Sequence, residues 1–121
     1  MGKIERFEDM QAWQKARELN KEINKIIKKP LFFKDFFLRD QIRRASGSIM
    51  TNIAEGFGRR TDKEMSNFLN MAHGSAAEVH CHLYAALDME YITREEFRDL
   101  YEKVETVSRM IQSFMNYLNK N

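Results

Sequence analysis

Asp40–Arg60 reads DQIRRASGSIMTNIAEGFGRR, and how this stretch folds decides how the rest of the chain is organised. Ile42, Ala45, Ile49 and Ile53 follow a 3, 4, 4 spacing, which gathers them on one face of a helix. Ser46 and Gly47 lie beside that stripe and keep the surface thin. Arg39, Arg43 and Arg44 stand at its amino end, and Arg59 and Arg60 follow Gly56 and Gly58, two stop signals for a helix. Asn52 and Glu55 read as polar interior members. A glycine at position 47, in mid-helix, costs about 1 kcal/mol relative to alanine, a cost that close crossing by another helix would justify. The whole has the form of an assembly element with a basic surface.

Toward the amino terminus, Met1–Glu8 reads as a short extended lead and Asp9 as the N-cap of a first helix. Trp13, Ala16, Leu19, Ile23, Ile26 and Ile27 recur on one side of that helix, and Pro30 predicts its end at or just before Lys29. Between it and the central stretch, Leu31–Phe37 (LFFKDFF) places five large apolar residues in seven positions. It alternates poorly, so the expectation is a hydrophobic loop covering one end of a bundle, its aromatics mostly buried, with Phe32 or Phe33 the candidates to meet another subunit instead. The second helix is predicted from Phe36 or Phe37 to near Phe57.

Toward the carboxyl terminus, Thr61-Asp62-Lys63-Glu64 has the form of a capping box. It opens a third helix with an apolar stripe through Phe68, Leu69, Ala72, Ala76, Val79 and Leu83 and a second thin patch, Gly74–Ala77. The two thin patches predict close pairing of the second and third helices. Glu90–Ile92 is the expected turn, and Thr93-Arg94-Glu95-Glu96 is another capping box, opening a fourth helix that runs to Tyr117 or Leu118. Short connections and no strand pattern predict an all-α, antiparallel up-and-down four-helix bundle, with residues 1–121 as one domain.

The 121 residues carry a formal charge of only +2, yet residues 15–63 hold thirteen Lys or Arg against six Asp or Glu, and residues 64–121 hold five against nine. The asymmetry allows a basic face for nucleic acid or complementary faces through which copies associate. Arg39, Arg43, Arg44, Arg59, Arg60 and Lys63 form the candidate nucleic-acid set, arranged as a stripe rather than a compact patch, with contacts to phosphate that read no sequence. No aromatic-rich groove for a single strand is expected. Cys81 is the one cysteine, which leaves no intrachain disulfide. The amino terminus lacks the apolar run of a secretory signal, and no segment has the apolar length to cross a membrane. A cytoplasmic location is the default.

Enzymatic classes fit poorly, and neither a cofactor nor a metal is expected. His80 and His82 are about 200° apart around a helix, and His73 and His80 about 10 Å apart along it. No Glu-x-x-His pair of the di-iron kind occurs. The serines lack a Gly-x-Ser-x-Gly elbow, and GFGRRTDKE lacks the Gly-Lys-Ser/Thr ending of a phosphate loop. Glu55 and Glu78, near small residues of the central pair, read as partners for Arg43, Arg44 or Arg59 that would fix helix register.

The run Arg43–Arg60, R-R-A-x-x-S-I-x-x-N-I-A-E-G-x-G-R-R, resembles the four-helix bundle family associated with intervening sequences in bacterial 23S rRNA genes. Phe68-Leu69-x-x-Ala72-x-Gly74-Ser75-x-x-Glu78 is similar to its second signature, and Phe7–Ala16 to its amino-terminal one. The resemblance implies an antiparallel bundle that assembles as a homopentamer, and similarity to the accessory protein of diversity-generating retroelements, a basic pentameric barrel that binds nucleic acid and its reverse transcriptase. Ala45, Ser48, Ile49, Asn52, Ile53, Glu55, Gly56 and Arg59 match the first signature, and Ala72, Gly74, Ser75 and Glu78 the second; most are expected in packing. The expected function is thus a non-enzymatic, self-assembling structural or scaffold protein, the alternative a weak, sequence-independent RNA- or DNA-binding module. An unidentified protein partner could use the same surfaces.

Overall fold

A computed structural model describes residues 4–120. Its helices are α1 (Gln11–Ile26), α2 (Pro30–Lys34), α3 (Phe36–Phe57), α4 (Asp62–Asp88) and α5 (Arg94–Leu118). Met1–Lys3 of the expected lead lie outside the described residues, and Phe7–Asp9 is a 3₁₀ turn rather than extended chain. Asp9 belongs to that turn, so Met10 is the N-cap of α1, without a side-chain cap bond. Met10 is buried instead, so apolar packing, rather than capping, fixes how the chain enters α1.

The four long helices close a ring in the order α1, α3, α4, α5 and back to α1. Each neighbouring pair runs antiparallel. Gly56 near the end of α3 meets Met65 and Phe68 near the start of α4, while Ser48 of mid-α3 bonds Ser75 of mid-α4. Tyr84 packs on Phe97 and, one turn earlier, His80 packs on Tyr101. Lys29, just past α1, bonds Glu96 in the first turn of α5. Ile42, Ile49 and Ile53 are fully buried and Ala45 nearly so, as the spacing of the central stretch predicts. They join Leu19, Ile23, Leu69, Val79, Leu83, Val104 and Ile111 in one apolar cluster.

Leu31–Phe37 differs from expectation. Pro30 does not merely end α1; it occupies the first position of α2, where its missing N–H and fixed φ cost nothing. Only Phe32 is buried, stacked on Tyr91 at 5.4 Å. Leu31, Phe33, Phe36 and Phe37 are exposed, Phe37 by 75%. The single turn of α2 points Phe32 into the bundle end and leaves Leu31 and Phe33 outside, and Phe36 and Phe37 open α3 on its outer side.

Polar contacts lock this end. Asp35 caps α3 by accepting the Leu38 N–H at 3.0 Å and accepts the Tyr91 hydroxyl at 2.8 Å. These two bonds, the backbone one first, hold its carboxyl below the usual range. Glu96 accepts from Lys29 Nζ at 2.6 Å and from the Thr93 N–H at 2.8 Å, which lowers its carboxyl too. Thr93 and Glu96 complete the reciprocal capping box, whereas Thr61 forms only the bond from the Glu64 N–H. The turn from α4 to α5 ends in a Schellman arrangement: Tyr91 N–H to Ala86 O and Glu90 N–H to Leu87 O, both 2.9 Å. Glu90 takes the left-handed position, φ 62°.

Candidate nucleic-acid interface

Arg39, Arg43 and Arg44 lie in the first half of α3, and Arg59 and Arg60 lie just past its end, in the turn before α4. Arg39 and Arg59 lie twenty residues apart, about 30 Å of helix, so the set splits into two groups. Arg39 is the most enclosed, with 19% of its side chain exposed. Its guanidinium sits over Phe33 at 4.6 Å and Phe36 at 4.8 Å and donates to Phe33 O and Asp40 Oδ1. The exposed aromatics thus pre-orient a cation. Arg43 and Arg44 are exposed and make no ion pair among the described residues.

At the other end, Arg59 bonds Glu55 at 3.0 Å and lies over Phe68 at 4.5 Å. Glu55 is therefore an exposed i, i+4 partner and not an interior residue. Arg60 and Lys63 are exposed and unpaired among the described residues.

At the Arg39 end, a groove of about 630 Å³ between α1 and α3 is lined by Asn20, Asn24, Lys28, Phe33, Arg39 and Arg43, with no carboxylate in its lining. Three cations facing one channel suit phosphate. Asn20 and Asn24 went unnoticed in the sequence because they belong to another helix; their signal, two asparagines four apart on the α1 face beside the apolar stripe, means little until α3 is placed alongside.

The signature positions sort by burial. Ala45, Ile49, Ile53, Gly56, Ala72 and Ser75 are buried. Ser48 and Asn52 are half-buried and joined to Ser75: Ser75 Oγ donates to Ser48 Oγ at 2.9 Å, and Asn52 Nδ2 donates to the same oxygen at 3.0 Å. Ser46, fully buried, donates to Asn20 Oδ1 at 3.0 Å. Glu55, Gly74 and Glu78 are exposed and take no part in this packing. A Cβ at Gly47 or Gly74 would meet nothing within 4 Å, whereas one at Gly56 would lie 3.1 Å from Phe68 Cβ and 3.2 Å from Met65 O. The close approach expected at Gly47 occurs at Gly56.

Tyr84 of α4 meets Phe97 and Tyr101 of α5 along a second groove. The sequence signal was Phe97 and Tyr101 at i, i+4, opposite a tyrosine on a different helix. Among the described residues no three His, Cys, Asp or Glu side chains converge for a metal. No helix is long and apolar enough to cross a membrane.

The model of the 23S rRNA-intervening sequence protein family matches residues 8–113. A search of curated proteins finds no match. Among solved structures, a protein of unknown function from the S23 ribosomal protein family of Bacteroides thetaiotaomicron is 27% identical, covering 86% of this chain and 97% of its own, with a TM-score of 0.81. With the helix order, the buried signature residues and a match over most of the chain in hand, the chain belongs to the 23S rRNA-intervening sequence protein family.

Proposed function

We propose that this chain is a non-enzymatic, self-assembling bundle with a structural or scaffold role in the cytoplasm. The observation that carries this reading is the cluster of exposed Leu31, Phe33, Phe36 and Phe37 at one bundle end. Single exposed apolar residues need no explanation, but four in seven positions form a patch of the kind that marks interaction surfaces. A second copy is the occupant that the charge distribution favours, because the basic α1–α3 half complements the acidic α4–α5 half. Five copies are the number that the family resemblance implies. Light scattering tests the reading. The wild-type chain forms a defined oligomer at micromolar concentration, and Phe36→Asp with Phe37→Asp reduces it to monomers with unchanged helical circular dichroism. A monomeric wild-type chain overturns the proposal.

The basic α1–α3 groove favours a second reading, a nucleic-acid-binding module that contacts phosphates without reading sequence. Each phosphate neutralised adds about 0.7–0.9 to the slope of log affinity against log salt. Arg43→Ala is expected to lower both affinity and slope. Binding to structured RNA that is indifferent to salt and to this substitution removes the electrostatic account.

A further inference from the structure

The groove between α4 and α5 has a volume of about 780 Å³, within the range of small-ligand sites, roughly 300–1,000 Å³. Its wall is aromatic. Tyr84 and Phe97 have ring centroids 4.9 Å apart, Phe97 and Tyr101 5.5 Å. Tyr84 remains 50% exposed, so this wall is open to solvent.

Charge alternates along the groove. Arg94 and Arg98 stand one turn apart at the end where α5 begins, exposed and without an ion pair among the described residues. Arg94 is also the first residue of α5, where the helix dipole favours an anion. Glu102 and Glu105 line the middle, and Arg109 stands beyond them toward the end of α5. Glu105 Oε1 lies 3.4 Å from His80 Nε2, which is buried, has no hydrogen-bond partner, and belongs to a ring stacked on Tyr101 at 4.2 Å.

We propose that this groove binds a planar aromatic anion, with its ring on Tyr84 and Phe97 and its phosphate or carboxylate between Arg94 and Arg98. The ring-plus-anion class follows from what each half would waste. A neutral ring leaves two guanidiniums unused, and an inorganic anion leaves the aromatic wall in water. A long phosphate strand would bring its charges onto Glu102 and Glu105. Those carboxylates suit an amino donor at the ring edge away from the anion. The site shares no lining residue with the α1–α3 groove or with the exposed phenylalanines.

Titration calorimetry on the full chain tests it, with adenosine monophosphate and 4-aminobenzoate as probes and adenosine, benzoate and inorganic phosphate as partial ligands. At least one probe binds about tenfold more tightly than its partial ligands, and Tyr84→Ala and Arg98→Ala each weaken it about tenfold. Lys21→Ala, exposed on α1 and outside both grooves, leaves it unchanged. Tighter binding of the monophosphate assigns the anion as phosphate, and tighter binding of the aminobenzoate assigns it as carboxylate. No saturable binding of either probe to the wild-type chain below about 1 mM, or equal binding by wild type and both groove variants, overturns the proposal.

Discussion

α4 packs against a different neighbour on each side, and the two seams have opposite character. Against α3 it buries the small residues Ala72, Ser75 and Ala76, with a Ser75–Ser48 hydrogen bond at the centre and Gly56 of α3 close against Met65 and Phe68 toward one end. Against α5 it presents His80 and Tyr84, which meet Phe97 and Tyr101. Rings of that size prop the helices apart on the outer face and leave a groove. Side-chain volume at the seam sets whether a helix pair makes only core or also makes a recess. In this bundle the small-residue seam serves stability, and the surfaces that could bind lie elsewhere.

The contrast can be broken at its centre. Ile49 is fully buried beside the α3–α4 seam, and Ile49→Ala is expected to cost about 2–5 kcal/mol in urea unfolding. Tyr84→Ala, half exposed on the other seam, is expected to cost far less; equal losses would erase the distinction. A bulkier residue in the tight seam comes next. At Gly56 an added Cβ already presses on Phe68 Cβ and on the Met65 carbonyl, and Gly56→Val is expected to destabilise by about 1–3 kcal/mol through overpacking.

Acid sharpens the role of the bundle end that joins both seams. Asp35 and Glu96 have carboxyls lowered in the folded chain, so their contribution is present above the unfolded value of about 4 and is lost as pH falls through the lower folded values. Tm should hold steady near neutrality and drop below about pH 4, and Asp35→Asn should flatten that drop while lowering Tm at pH 7. A Tm profile with the same acid slope in the variant would remove Asp35 from the account. The smallest effects have the opposite sign. Gly47→Ala and Gly74→Ala, where a Cβ meets nothing, are each expected to stabilise by about 0.5–1 kcal/mol. A loss of stability at either glycine would mean that another surface closes over it.

Most of the helix plan was legible because helix signals are local. The Ile42–Ile53 stripe, Pro30, the Gly56-Phe57-Gly58 stop and the Thr93–Glu96 box each act within a few residues, and the helices start and end close to where those signals stand. Asp9 misled because a cap residue counts only where the chain enters the helix, and burial of Met10 fixed that point one residue later. The candidate site was half legible: the arginines could be named, but not which of them share a groove.

By itself the sequence determined four long amphipathic helices, their order and their short connections, because periodicity, capping and turn chemistry are written in neighbouring residues. Only the tertiary structure decided that Phe32 is buried while Phe36 and Phe37 are exposed, that Gly56 rather than Gly47 meets another helix, and that Lys28, Arg39 and Arg43 line one channel. Those outcomes depend on the rotation of one helix against the next, and that rotation is set by the summed packing of residues far apart in the chain.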